Sequence, residues 1–344
     1  MNKIFIIVVS ILFTLVLSAC SLGIEDGENS ITIYSERHYD TDQILFDQFE
    51  SETGIKVNVV KASADELIAK LELEGEDTLA DLLLIADAGR LHIAKEKNLL
   101  QSIESDIIEE NIPAKYQDDD NYWFGLTVRA RVLVYNPDNV NVEDLSTYEA
   151  LTNEEWNGRI VVRSGTNIYN QSLIASYIAI NGEEATKQFI SGLVNNFARN
   201  PEGNDRDQAK AVMAGIADIA IMNTYYMGKM FNSEDQYERE VANKLEVFFP
   251  NQDTTGTHIN VSAAGVTKYA KNVDNAIKLI EFLSSEAAQM VFAEANYEYP
   301  VNPNVQLTGL LESWGTFISQ DISLTLLGVY SSRAAIVMDE EGWK

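Results

Sequence analysis

Cysteine is almost absent from the sequence: Cys20 is the single one among 344 residues. An intramolecular disulfide is therefore impossible, and so are a cysteine-based zinc site and a cysteine nucleophile paired with histidine elsewhere in a mature chain that spends Cys20 on other chemistry. Positive charge is also scarce, with 25 Lys and Arg against 53 Asp and Glu and a net charge of −28. Such a surface repels the phosphates of nucleic acid and of anionic lipid and attracts cations. Solubility, or a saline or basic habitat, accounts for the acidity equally well. Residues 4–17 form an apolar run that falls short of the roughly 20 residues of a membrane-spanning helix. No GxSxG, HExxH, Walker or dinucleotide fingerprint occurs, the glycines never cluster as a phosphate cradle requires, and no internal repeat is visible.

What is present begins with a leader. Lys3 precedes the apolar run, and Leu17, Ser18, Ala19 and Cys20 resemble the bacterial lipobox, which implies diacylglycerol on the Cys20 sulfur and cleavage just before it. Residues 1–19 then read as a lipoprotein signal peptide and the polar residues 20–29 as a tether, an ordinary secretory leader being the alternative.

From Ser30 onward, short apolar runs alternate with amphipathic stretches of helical length, the pattern of an α/β fold built around mostly parallel sheet. Strands are expected at 31–35, 56–62 and 80–86. Helices are expected at 40–53, 63–74 and 88–97, the first burying Ile44, Leu45, Gln48 and Phe49 and stopped by Gly54. Residues 123–136 are unusually long for one strand and suit a passage between two lobes. There Val128, Ala130, Val132 and Val134 alternate with Arg129, Arg131 and Leu133, which predicts a half-buried strand. Residues 258–270 read as the return crossing, and strands at 156–162 and 218–223 belong to the second body.

Ligands of open α/β sheets bind beyond the carboxyl ends of strands, where loops feed helix N-termini. Three tyrosine-bearing segments fall there: Arg37, His38 and Tyr39 after the first strand, Tyr169 within 164–172, and Tyr225 with Tyr226 after 218–223. Phenols and one imidazole make a poor zinc or magnesium site. Ferric iron, hard and trivalent, stabilises phenolate directly and suits such a cluster. The same phenols could form an aromatic cage for an organic cation, donate to an oxyanion, or be ordinary loop residues. A surface enzyme using a tyrosine or an Asp–His pair is a further reading, but no nucleophile and base stand in a recognisable arrangement.

At these residues the chain resembles the ferric-iron-binding proteins that serve bacterial ABC transporters. The resemblance spans nearly the whole mature chain and rests on YSERHYDTD (34–42), FGLTVRARVLVYN (124–136), SGTNIYNQS (164–172) and NTYYMG (223–228), in the manner of the branch with four tyrosines and a histidine. It implies an α/β, two-lobed periplasmic-binding-protein fold of class II type, each lobe a mixed, mostly parallel sheet flanked by helices, joined by two crossing strands. Lobe 1 would comprise 30–127 plus 261–305, and lobe 2 128–260 plus 306–344. Tyr39, Tyr169, Tyr225 and Tyr226 would be iron ligands, and His38 a fifth ligand or close neighbour. Ferric iron would be the transported ligand, an ABC permease the partner, and the protein a lipid-anchored extracytoplasmic monomer, without catalysis or nucleic acid. Another branch uses a glutamate ligand with a bound anion such as carbonate; here residues 82–90 offer Asp87 instead. Arg129 and Arg131 could hold such an anion or offset phenolate charge, or could be surface ion pairs in an acidic protein. His92 reads as structural, His258 as a residue of the return crossing, and Trp123 and Trp156 as lobe core.

Overall fold

The structure is a computed structural model that describes residues 29–37 and 39–344. The expected signal peptide, Cys20 and its tether up to residue 28, and His38, lie outside the described residues. In chain order the elements are β1 (Ser30–Ser35), α1 (Asp40–Thr53), β2 (Lys56–Lys61), α2 (Ala64–Glu74), β3 (Leu82–Ile85), α3 (Ala88–Glu96), α4 (Asp106–Asn111) and β4 (Phe124–Tyr135). There follow β5 (Ile160–Val161), α5 (Ile168–Asn181), α6 (Glu183–Asn195), α7 (Asp205–Met213), β6 (Ile219–Asn223), α8 (Thr224–Phe231), α9 (Gln236–Lys244) and β7 (Glu246–Phe248). The chain continues through β8 (Ile259–Val266), α10 (Val273–Ser284), α11 (Glu286–Asn296), β9 (Tyr299–Pro300), α12 (Gly309–Trp314) and α13 (Thr325–Glu340).

The strands run in the order β2-β1-β3-β8-β4-β6-β5, with β7 and β9 also paired to β4. β1 is parallel to β2 and β3, and β5 to β6. β8 is antiparallel to β3 and β4. The long β4 changes partner along its length: residues 124–130 pair with β8, and residues 131–135 with β6. One half of the molecule hangs on each end of β4, so β4 and β8 are the crossings expected from 123–136 and 258–270.

Two local expectations are corrected. All of β4 is buried, where alternation had predicted a half-buried strand. Its arginine face does not meet water, because Arg129 and Arg131 find carboxylates and carbonyls inside the protein. On α1 the buried set is Thr41, Asp42, Leu45, Phe46 and Phe49, whereas Ile44 is 55% exposed. The core-facing stripe is thus rotated toward the turn that holds Asp42. Gly54 ends this helix at φ 72°, a left-handed conformation that glycine adopts without a Cβ penalty. Ser63 starts α2 with a reciprocal capping box to Glu66.

The C-terminal helix α13 packs between α3 of the first half and α5 of the second. Arg90 of α3 reaches both Ser331 on α13 and Gln171 on α5. Beyond the helix, the buried Trp343 donates its indole N–H to the Arg163 carbonyl at 2.9 Å, fixing the loop that leads to Tyr169. The α3–α13 approach is close enough that a Cβ on Gly328 would lie 2.5 Å from the Gly89 carbonyl oxygen and 2.8 Å from the His92 Cβ. A backbone carbonyl cannot swing aside, so Gly328→Ala is expected to destabilise the fold by about 1–3 kcal/mol, read as a lowered urea midpoint with unchanged slope.

Candidate metal centre

All four candidate tyrosines stand at helix N-termini, and each helix begins where a strand or its short loop ends. Tyr39 is the extended N-cap residue of α1, after β1. Tyr169 lies in the first turn of α5, its N–H donating to the Asn167 side chain at 3.1 Å. Tyr225 and Tyr226 form the first turn of α8, directly after β6. The amide ends of three helices therefore face this region, and their dipoles favour negative charge there.

The rings meet. Tyr39, from the first half, packs edge-on to Tyr225, from the second, with ring centroids 5.7 Å apart. Tyr225 and Tyr226 are 4.1 Å apart. Tyr169 joins them through Arg129, whose Nη1 donates to the Tyr169 hydroxyl at 3.3 Å and whose guanidinium carbon lies 5.4 Å from the Tyr169 ring and 5.7 Å from that of Tyr225. Burial pushes the Tyr39 and Tyr225 phenols well above the ordinary tyrosine value. Neighbouring phenols push the same way, while Arg129 pulls both back. Tyr226 is raised to about 12, again chiefly by burial. With no cation bound, these phenols are neutral at physiological pH.

The cluster is ringed by cations. Arg129 is fully buried; its Nη2 donates to the Ala86 carbonyl and, at 2.9 Å, to Ser262 Oγ. Arg37 lies beside the Tyr39 ring at 4.7 Å and is itself held by Asp42 and Glu298. Lys229 Nζ sits 4.4 Å from the Tyr39 ring centroid, and Arg163 Nη1 donates to the Tyr226 hydroxyl at 3.4 Å. Burial lowers the Lys229 pKa, with Glu298 opposing it.

Arg131 is not brought to the phenols by any of its hydrogen bonds. Its guanidinium donates to Asp205 at 2.9 Å, to Asn170 at 2.6 Å and to Asn223 at 3.4 Å. It braces the first turns of α5 and α7 against the end of β6. Neither Arg129 nor Arg131 is a surface ion pair: both are 0% exposed, which corrects that alternative. Asp87 is occupied as the cap of α3, accepting from the Gly89 N–H and from Asn260 at 2.9 Å. His258 is buried against Gln320 at 2.9 Å, and burial lowers its pKa to about 4. His92 is buried on α3, and Trp123 and Trp156 are core.

Four participants were not singled out from sequence. Lys229 was the most accessible of them, since a residue four after Tyr225 on the same helix shares its face. Arg163 precedes the Tyr169 loop at a strand end. Asp205 and Glu298 carried no local signal, because their partners are distant along the chain. Among the described residues, no group of three or more His, Cys, Asp and Glu is placed to hold a metal ion. The oxygen donors that converge here are phenols.

The family model for bacterial extracellular solute-binding proteins matches residues 45–317. The chain is 47% identical over 317 residues to iron uptake protein A1 of Synechocystis sp. (strain ATCC 27184 / PCC 6803 / Kazusa), covering 92% of this chain and 88% of that protein. A solved structure described as Trichodesmium (IdiA) (FutA) in complex with iron and citrate ligands superposes with a TM-score of 0.88 at 45% identity, covering 92% of this chain and 100% of that one. The ferric binding protein from Campylobacter jejuni superposes with a TM-score of 0.87 at 42% identity, over 91% of this chain and 100% of that one. The fold shared with these neighbours is the two-lobed α/β architecture.

Because Asp205 answers both Arg131 at 2.9 Å and Arg163 at 3.6 Å with none of the three more than slightly exposed, its removal strands buried charge. Asp205→Ala is expected to lower unfolding free energy by about 3–5 kcal/mol in chemical denaturation.

Proposed function

The chain belongs to the bacterial extracellular solute-binding protein family, and from that premise we propose that it captures ferric iron between its lobes as a tyrosinate complex and delivers it to an ABC permease. Tyr39, Tyr169, Tyr225 and Tyr226 are the proposed ligands, with His38 as a fifth ligand or close neighbour. The observation that carries this reading is the convergence of four phenols from both halves at three helix N-termini, around the buried guanidinium of Arg129. The relatives named for iron uptake and ferric binding support the choice of cargo.

The chemistry follows from the neutral state of the phenols. A trivalent cation supplies the charge that burial withholds, so each coordinating phenol gives up its proton on loading. Arg129, already donating to the Tyr169 oxygen, donates more strongly once that oxygen is anionic. The helix dipoles and nearby cations add to the same stabilisation. Since Tyr39 lies in one half and the other three phenols in the other, iron holds the halves together, and opening them removes a ligand. The lobes are assigned to residues 30–127 with 261–305 and to 128–260 with 306–344, acting as a monomer.

Titration of the purified protein with ferric citrate is expected to produce a broad visible charge-transfer band, absent from a Tyr225→Phe/Tyr226→Phe variant. Loading weakens between about pH 8 and about pH 5, because protons compete with iron for the phenols, and burial raises Tyr39, Tyr225 and Tyr226 above the ordinary tyrosine value. A colourless complex, or loading indifferent to pH across that range, contradicts the reading.

For location, the proposed leader places the protein outside the cytoplasm and the Cys20 lipid holds it at the membrane. Among the described residues no helix is long and apolar enough to cross one. Cys20→Ser is expected to move the protein from the membrane to the soluble fraction; continued membrane retention of that variant contradicts a lipid anchor.

A further inference from the structure

Side chains alternate across the two crossing strands, so β4 and β8 have a front and a rear. Thr127, Arg129, Asn260 and Ser262 face the front, where they bond to Arg37, Tyr169, Asp87 or one another. Val128 and Ile259 face the rear, in register with Tyr299 of β9 and with Ala130. Behind the strands, with Val128 in its floor, lies a hollow of about 300 Å³ whose walls come from both halves: Pro113, Tyr116 and residues 299–303 from the first, Phe317 and Ser319 from the second. The second wall is tied down by the Thr257 N–H donating to the Ile318 carbonyl at 2.8 Å, the Gln320 N–H donating to the Thr257 carbonyl at 3.0 Å, and Phe317 stacking on Phe249 at 4.8 Å. The first is tied down by the pairing of β9 with β4 and by Asn302, which donates to the Ser284 carbonyl at 2.9 Å. Phe317 meets Tyr299 edge-on at 5.1 Å, where the two walls touch.

The lining is chemically one-sided. Tyr116, Tyr299 and Phe317 offer aromatic rings, and three prolines offer rigid apolar surface. Among the described residues that line the hollow, Lys115 carries the sole charge. That is the reverse of a chain with 53 acidic against 25 basic residues. The Lys115 ammonium lies 4.8 Å from the Tyr116 ring centroid, and no carboxylate answers it among the described residues. A volume near the bottom of the roughly 300–1,000 Å³ range of small-molecule sites admits one or two fused rings.

We infer that this hollow is a second ligand site, for a small aromatic carboxylate, and that its occupant holds the front closed over the cargo. The coupling rests on the reading that iron holds the halves together. Tyr39 and Tyr225 meet across the halves at 5.7 Å while the rear hollow stands open. The crossing strands lie between the two places. A rotation about them that parts Tyr39 from Tyr225 therefore drives the wall at 316–319 toward 113–116 and squeezes the hollow. A ring wedged there, with its carboxylate on Lys115, resists that rotation. The two sites are then reciprocal: iron strengthens carboxylate binding, and the carboxylate strengthens iron binding by the same factor.

The test titrates 1-naphthoate calorimetrically into iron-free and ferric-loaded protein, with 1-naphthamide as the uncharged control. Naphthoate is expected to bind the loaded form about fivefold tighter or more, the lower end of measured couplings, and to slow iron loss to a chelator. Lys115→Gln, at an exposed position away from the phenols, is expected to weaken naphthoate binding about tenfold and to leave the ferric charge-transfer band unchanged. Naphthamide is expected to bind the unmodified protein no better than naphthoate binds that variant. Absence of naphthoate binding to either form overturns the inference. Binding that Lys115→Gln leaves untouched overturns it as well, since the probe then sits among the cations of the front. Equal affinity for the two forms, with the charge-transfer band present, overturns the coupling and the inference with it. A protein that never develops that band fails the tyrosinate reading instead, and the rear site is then decided on iron-free protein by whether Lys115→Gln abolishes naphthoate binding.

Discussion

Arg129 lies fully buried on β4, and a guanidinium taken out of water costs several kcal/mol unless the protein answers its charge and its donors. It is answered by the Ala86 carbonyl, the Ser262 hydroxyl, the Tyr169 oxygen and the more distant carboxylate of Glu298. This arrangement places permanent positive charge beside the phenol cluster, whose members become anionic on the proposed reading when iron binds. The same low dielectric that holds the phenols protonated makes each contact to Arg129 stronger once they ionise. Burial therefore disfavours phenolate without a cation and favours a compact, charge-compensated complex with one.

The fold delivers this by threading one strand through both halves. β4 pairs with β8 up to Ala130 and with β6 from Arg131, so Arg129 and Arg131 sit where the strand changes partner. Arg129 consequently contacts groups of the first half and a phenol of the second, while Arg131 braces the helix starts of the second half alone. Two neighbouring arginines of similar sequence context thus serve different purposes: one donates to a phenol of the cluster, the other braces the helix starts that carry the phenols.

Much of this was legible from residues. The βα alternation, the long crossing strand and the glycine stop at Gly54 all act locally, and local signals survive in sequence. The placement of Tyr39, Tyr169, Tyr225 and Tyr226 followed from the general position of ligands at strand ends, and the structure brings those four into one cluster. The burial of β4 was not legible, because alternating arginines imply water unless their partners are known. Those partners are Asp205, 74 residues away from Arg131, and Glu298. Ile44 misled for a similar reason: the helix turned to present Asp42 to Arg37, a demand set outside the helix. The wedge of α13 between α3 and α5 also depends on a close approach at Gly328 that no local pattern announces.

The central claim is that phenolate oxygens hold the iron. Resonance Raman spectroscopy of the ferric-loaded protein, excited within its visible absorption, addresses that bond directly. The account predicts strong enhancement of tyrosinate ring modes, diminished when Tyr225 and Tyr226 are phenylalanine. Iron bound in stoichiometric amount without enhanced tyrosinate modes would contradict it.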